Sequence, residues 1–243
     1  MVERVSTGVS ELDGVLSGGF PKGRTVLVSG TAGTGKTILA MHFLYQGAMN
    51  GEPGIYLTLE EDPESLREEM AQLGMDITAL EAEGKLSIID ASLIRLGLDS
   101  DEKRTISPEK FSINHLVKEI LKEANAKGVK RIVVDALPSL DILFGGDNDK
   151  IRDAIIKINY FLKKNGMTSI LLSEMPVGSL GYSLHGVEEY VVDGVITLEY
   201  TASGSDSQRV LTVRKMRMTP HEGRKNLFEI MDGRGIVFSG IGK

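Results

Sequence analysis

The chain has no cysteine among its 243 residues, which removes disulfides, thiolate metal centres and thiol nucleophiles together. A reducing, cytosolic setting is the natural reading. No stretch approaches about 18 uninterrupted apolar residues, and the opening Met1-Val2-Glu3-Arg4-Val5-Ser6-Thr7 lacks the apolar core of a secretion signal. The expectation is a cytoplasmic protein that does not enter a membrane. Pro-rich or Ser-rich linkers and internal repeats are also missing, so 1–243 is expected to form one domain with a sizeable core. Nor is there an excess of positive charge: 28 Lys and Arg against 34 Asp and Glu give a net charge of −6. A chain-wide cationic surface for nucleic acid or anionic lipid is disfavoured, which leaves only a local patch for such a partner. The four histidines form no visible metal cluster. His42 and His115 fall in helical core patterns and read as packed side chains.

What is present is a complete phosphate-binding loop, Gly30-Thr31-Ala32-Gly33-Thr34-Gly35-Lys36-Thr37, matching G-x-x-x-x-G-K-[ST] in full. At ordinary residue frequencies the pattern arises by chance in about 1% of chains this long. Its three glycines let successive N–H groups turn inward, and a helix beginning at Lys36 would present its positive end to the same anion. Lys36 would reach the β- and γ-phosphates of a nucleoside triphosphate, and the Thr37 hydroxyl would hold Mg²⁺. The flanks suit this chemistry: a β-branched apolar run, Thr25-Val26-Leu27-Val28-Ser29, precedes the loop, and a segment without Gly or Pro, Ile38 to Leu44, follows it.

Apolar runs suited to buried parallel strands alternate with helical patterns along most of the chain, which predicts an α/β fold with helices on both faces of a sheet. Strands are expected at 25–29, 54–59, 86–90, 131–135, 168–173 and 194–200, and helices at about 36–49, 63–73, 112–127 and 150–165. From Gln208 onward, short antiparallel strands are expected to extend the parallel sheet. The stretch 93–110, with mixed charges and little periodicity, reads as a mobile surface loop without a ligand.

Phosphate-bound Mg²⁺ needs an acid at the end of a neighbouring strand, and Asp135 directly follows Ile132-Val133-Val134. Glu60 and Glu61 end another apolar run, so either can orient a water for in-line attack. Asp62-Pro63 equally marks a helix start, with Asp62 as cap and Pro63 at the first helical position. Ser173 and Glu174 end a third run, where they can report on the γ-phosphate or simply close the strand. In Arg209 to Arg217, alternation puts Lys215 and Arg217 on one face with Leu211 and Val213. Such a pair suits an anion, although solvated charges on an edge strand are commoner. His221 follows four residues later inside a turn.

Taken in order, these segments resemble the RecA-type ATPases, and within them the KaiC-like branch. The resemblance runs from Ser6-Thr7-Gly8-Val9 and Gly18-Gly19-Phe20-Pro21-Lys22-Gly23 through the phosphate loop. It continues with Leu59-Glu60-Glu61-Asp62, Val133-Val134-Asp135, Leu172-Ser173-Glu174 and Val192-Asp193-Gly194-Val195, and ends at Lys215-Met216-Arg217-Met218-Thr219-Pro220-His221. It implies a RecA-like fold and Mg²⁺-dependent ATP hydrolysis served by Glu60 and Glu61, with Asp135 assisting the metal. It also implies a homo-oligomeric ring, expected to be hexameric, in which Lys215, Arg217 and His221 reach the nucleotide of an adjacent subunit, which overrides the solvated-edge reading of the cation pair. Two departures stand out: KaiC itself has two such domains and this chain has one, and Met218 occupies a position where the family often has Gly. Glu189-Tyr190 stands at the position of the adjacent Ser/Thr phosphorylation pair of the autokinase domain, which resembles the hydrolytic domain instead.

The function expected from the resemblance is an ATPase whose nucleotide state regulates a protein partner. The alternatives are a DNA-handling ATPase of the same superfamily and a nucleotide-sensing scaffold that hydrolyses little. Recombinases hold DNA with the loops after the Mg²⁺-acid strand and the sensor strand. Here the first, 141–150, is acidic and the second, 175–185, has no Lys or Arg. Single-stranded oligonucleotide titrated by fluorescence anisotropy near physiological salt should show no saturable binding tighter than about micromolar. Binding well below that would favour the DNA-handling alternative.

Overall fold

A computed structural model describes residues 2–98, 100–106, 112–176, 178, 181–203 and 206–239. A short ribbon of β1 (Arg4–Val5) and β2 (Phe20–Pro21) brackets α1 (Ser10–Val15) at the start. The body is a nine-stranded sheet. Its parallel part contains β3 (Thr25–Gly30), β4 (Gly54–Thr58), β5 (Leu86–Asp90), β6 (Arg131–Asp135), β7 (Thr168–Glu174) and β8 (Gly194–Ser203). Three antiparallel strands, β9 (Asp206–Met216), β10 (Lys225–Met231) and β11 (Gly235–Phe238), extend it beyond β8. The order β11-β10-β9-β8-β3-β7-β6-β4-β5 puts the strand that feeds the phosphate loop between β7 and β8.

Strands buried on both faces carry apolar residues at successive positions, as parallel sheets require. Alternate side chains supply two cores. Val26, Val28, Tyr56, Val133, Ile170 and Leu172 face one side, where α2 (Lys36–Met49), α3 (Pro63–Gln72) and α4 (Ile77–Ala82) pack. Leu27, Ile55, Leu57, Val134 and Leu171 face the other, under α5 (Ile113–Lys127) and α7 (Asn148–Lys164). The helix start expected at 62–63 is present: Asp62 accepts a 2.9 Å hydrogen bond from the Ser65 N–H, with Pro63 at the first helical position. His42 packs as expected. Its Nε2 accepts a 3.0 Å bond from the Ile236 N–H, and burial lowers its pKa to about 4. A Cβ on Gly235 would lie 2.2 Å from that nitrogen, so the approach of β11 to α2 depends on glycine.

Four expectations need correction. The strand ending at Leu59 stops at Thr58, so Glu60 and Glu61 stand in the turn beyond it. The C-terminal strands are not all short, since β9 runs 11 residues. The acidic segment 141–150 is largely helical, forming α6 (Leu140–Phe144) and the start of α7. The stretch 93–110 is tied down over its described part, because a 3₁₀ turn covers Ser92–Leu96 and Asp90 exchanges backbone bonds with Arg104 and Ile106. Ile106 is buried, and Arg67 on α3 holds Glu102 and Glu81 at once. Asp99 and residues 107–110 of that stretch lie outside the described residues.

A fifth correction concerns β9. A bulge opposite Val195/Ile196 puts Lys215 across from Val195 but Val213 across from Ile196. One extra residue reverses the side-chain alternation, so Met216 joins Leu211 and Val213 in the core while Lys215 and Arg217 face the opposite side. The cations still share a face with each other, though not with Leu211 and Val213.

Just beyond β9, Met218 takes a left-handed conformation, φ 61°, with an exposed side chain. An L-residue pays about 1–2 kcal/mol for this geometry, and glycine returns part of that gain as unfolded-state entropy. Met218→Gly should therefore stabilise the protein by about 0.5–1 kcal/mol in denaturant titration. Destabilisation would mean that the methionine side chain contributes more than its backbone costs.

Candidate functional site

The phosphate loop begins where β3 ends. Gly30 pairs with Glu174 of β7 and Leu198 of β8, and a Cβ there would lie 2.2 Å from the Leu198 carbonyl oxygen. Gly33 and Gly35 have positive φ, 74° and 97°, which turns the loop into α2 without Cβ strain. The buried Thr34 hydroxyl donates to the Thr31 carbonyl at 2.8 Å and closes the loop. α2 has no acidic residue in its first turn, so the positive end of the helix faces the loop unopposed. Lys36 Nζ folds back to the Gly30 and Thr31 carbonyls at 3.0 and 3.1 Å. Burial pulls its pKa down, opposed by the charges of Glu174, Asp135 and Glu60.

Asp135 sits at the end of β6, two strands from β3. Its Oδ2 accepts from Thr37 Oγ1 at 3.0 Å and from the Tyr56 hydroxyl. Burial raises the carboxyl pKa, while the two hydroxyls and Lys36 hold it down. The same burial and the adjacent Asp135 raise the pKa of Tyr56. A threonine hydroxyl beside one buried carboxylate is a hard-oxygen donor pair that fits Mg²⁺, whose remaining positions come from phosphate and water. Among the described residues there is no group of three or more His, Cys, Asp or Glu able to hold a metal by itself. A metal here would therefore arrive with its anion.

Glu60 and Glu61 are placed by Thr58. Its hydroxyl accepts from both backbone N–H groups, at 3.4 and 3.0 Å, and donates to the Glu61 carbonyl at 2.7 Å. The Leu59 N–H bonds the Asp135 carbonyl, so the ends of β4 and β6 are pinned together. The two acids then differ. Glu60 Oε1 accepts from Ser139 Oγ at 2.8 Å. Glu61 has its pKa raised to about 7, first by burial and then by the charges of Glu69, Asp135 and Asp62.

Several lining residues give no local sequence signal. A cleft of about 440 Å³ beside the loop is bordered by Lys36, Thr37, Glu69, Arg209 and Ile230. The Tyr200 hydroxyl donates to the Gly33 carbonyl at 2.7 Å, and Arg209 Nε reaches the same oxygen at 3.2 Å while stacking on the Tyr200 ring. β8, β9 and β10 thus supply one wall, a role that only the folded sheet reveals. Ser173 turns away from the loop to Glu188, whereas Glu174 lies close enough to act on Lys36.

The remaining three candidates are not part of this cluster. Lys215 donates to the Glu189 and Val192 carbonyls at 2.9 and 2.8 Å, at the end of α8 (Glu188–Val191). Arg217 is well exposed, with one N–H group 3.9 Å from Asp193. His221 Nδ1 lies 3.0 Å from the Thr219 carbonyl. Along β8, Lys215 pairs with Val195 and Gly30 with Leu198, so the cations start about 10 Å below the phosphate loop at about 3.3 Å per residue.

A family model described as "ATPase: KaiC" matches residues 5–242. A UPF0273 protein of Pyrococcus furiosus is 36% identical over 237 residues, covering 98% of this chain and 94% of that protein. Circadian clock protein KaiC3 of Synechocystis is 32% identical over 238 residues, and the match covers 97% of this chain and 45% of that longer protein. Among solved structures, a KaiC-like protein from Pyrococcus horikoshii superposes with a TM-score of 0.84 at 37% identity, covering 99% of this chain and all of that one.

Glu61 offers a direct check on the electrostatics of the cluster. In the nucleotide-free protein, ¹³C NMR should show its carboxyl titrating near pH 7, because burial and three acidic neighbours oppose ionisation. Since this pKa lies above the unfolded value, the associated stability is present at acid pH and declines as pH rises toward 7. Glu61→Gln should flatten that decline. A midpoint near the ordinary glutamate value would mean that the acid is solvated.

Proposed function

Because the chain belongs to the KaiC family of ATPases, we propose that 1–243 acts as a single RecA/KaiC-like domain that hydrolyses ATP with Mg²⁺ in a hexameric ring. In this reading the phosphate loop, Gly30 to Thr37, holds the triphosphate, and Lys36 neutralises its β- and γ-oxygens. Thr37 and Asp135 hold Mg²⁺. Glu61, whose pKa is raised to about 7, takes the proton of the attacking water, and Glu60 is fixed beside it by Ser139. Arg209 and Ile230 border the rest of the nucleotide.

The observation that carries the ring is the position of the cations. Lys215 and Arg217 emerge at the opposite end of the sheet from their own phosphate loop, where they serve a nucleotide only if it belongs to another subunit. The surrounding surface suits an interface. Tyr190 is 76% exposed, and Tyr160 and Ile156 lie exposed on α7 near Val191, with Lys163, Lys164 and Arg24 around them. The phosphate-loop side is acidic by contrast, with Glu60, Glu61, Asp62, Glu64 and Glu68 in succession. Opposite charges on two faces of one chain favour head-to-tail association, which closes into rings. The ATP state of such a ring would control a protein partner. Tight binding of nucleic acid is not part of the reading.

Complementation tests it. Lys36→Ala should abolish turnover by removing the main side-chain cation at the β- and γ-phosphates. Lys215→Ala/Arg217→Ala should bind ATP but lose about 10³–10⁵ in rate if the pair acts as a trans arginine finger. Mixing the two inactive variants pairs some intact loops with intact cations, so partial activity should return. A mixture shown by mass spectrometry to have exchanged subunits, yet still inactive, would overturn the shared site.

A further inference from the structure

The segments leaving the carboxyl ends of β6 and β7 are joined by one imidazole. His185, just before α8, is 4% exposed at its side chain. Its Nδ1 lies 2.9 Å from Glu188 Oε1 and its Nε2 lies 3.0 Å from Asp141 Oδ1 on α6. Both ring nitrogens thus face carboxylate oxygens, which accept and cannot donate when ionised. A neutral ring can donate to only one of them. The other nitrogen would then point a lone pair at an anion, so the geometry is satisfied by the doubly protonated imidazolium.

The far side of the arrangement reaches the nucleotide cluster. Glu188 is fully buried; its Oε1 also accepts from Ser173 Oγ at 3.1 Å, and its Oε2 accepts from the Val187 N–H at 3.1 Å. Ser173 pairs in register with Ser29, the residue before Gly30, and the next residue of β7 is Glu174, whose charge acts on Lys36. A continuous polar chain therefore runs from Asp141, six residues past the Mg²⁺-site acid Asp135, through His185 and Glu188 to the strand end beside the phosphate loop.

We propose that His185 is a positioning residue, a protonation-dependent clasp that ties α6 to the end of β7 and thereby sets the geometry in which the phosphate-loop site hydrolyses nucleotide. This rests on the hydrolytic reading above for its effect on rate, though not for the clasp itself. The groups acting on the ring are Glu188 from α8 and Asp141 from α6, while Ser173 shares Glu188 from β7. The hydrogen bond to Glu188 leads in raising the His185 pKa above its ordinary value, joined by the charge of Glu188 and by Asp141 and opposed by burial. The sign follows. The clasp is complete below about pH 6.5, and its contribution is lost as pH rises through the higher folded value. When the proton leaves, buried Glu188 retains its donor at Nδ1 and the half-exposed Asp141 is released.

Three measurements test it on the 243-residue chain. In ¹⁵N-edited NMR, with His185→Gln used to assign the signal, both ring nitrogens should be protonated at about pH 6 and titrate above about 6.5. Asp141→Asn, at a half-exposed position that should leave the fold intact, should lower that midpoint. Hydrogen exchange, corrected for intrinsic rates, should be at least about fivefold faster across α6 and 181–187 at about pH 9 than at about pH 6. In Asp141→Asn this pH dependence should vanish, and nucleotide turnover should fall severalfold with ATP affinity nearly unchanged. A singly protonated ring at about pH 6, or equal protection at both pH values, would overturn the clasp. Turnover that ignores Asp141→Asn while exchange responds would remove its link to hydrolysis. Absence of turnover in the unmodified protein would instead count against the hydrolytic reading, with the clasp still visible by NMR and exchange.

Discussion

Desolvation at the carboxyl edge of the sheet is the constraint on which the rest of this structure depends. Six parallel strands buried on both faces must end somewhere, and here β3, β4, β6 and β7 end in groups that prefer water: the phosphate loop, Glu60-Glu61, Asp135 and Ser173-Glu174. Burial lowers the pKa of Lys36 and raises those of Asp135 and Glu61. Each group is thus pushed toward neutrality; Lys36 and Asp135 oppose that push in each other, whereas the neighbours of Glu61 are acids that add to it. Such an edge is poised to accept an anion, which enters a place whose dipoles and charges are already oriented.

The apolar neighbours of this edge make it readable. Runs such as Ile132-Val133-Val134 announce a strand, and the first charged residue after each run marks the edge, so Lys36, Thr37, Asp135 and the two glutamates are visible from short-range pattern alone. The two-residue strands β1 and β2 and the helices α1, α4, α6 and α8, each of four to six residues, are too short to show a period, and 141–150 reads as a loop although most of it is helical. The wall formed by Tyr200, Arg209 and Ile230 is hidden for a different reason: the bond from Tyr200 to Gly33 spans 167 residues and exists only because β8 happens to lie beside β3.

Interactions across the sheet also divide the chain into two working ends. The end with the phosphate loop gathers acids, and the end with Lys215, Arg217, Lys163 and Lys164 gathers bases. Each is incomplete in electrostatic terms. Lys215 is held meanwhile by the carbonyls that close α8, and Arg217 reaches toward Asp193, itself paired with Lys163 at 2.8 Å. These contacts keep the cations at a fixed height on the surface.

The bulge in β9 gives this arrangement an unusual dependence on chain length. Because side chains alternate along a strand, the single extra residue opposite Val195/Ile196 decides which side of the sheet everything after it occupies. Deleting the extra residue, Arg214, would leave Lys215 and Arg217 in the chain, yet it would turn both toward the core and bring the apolar Met216 outward. Counting, more than chemistry, keeps those cations where another molecule can meet them.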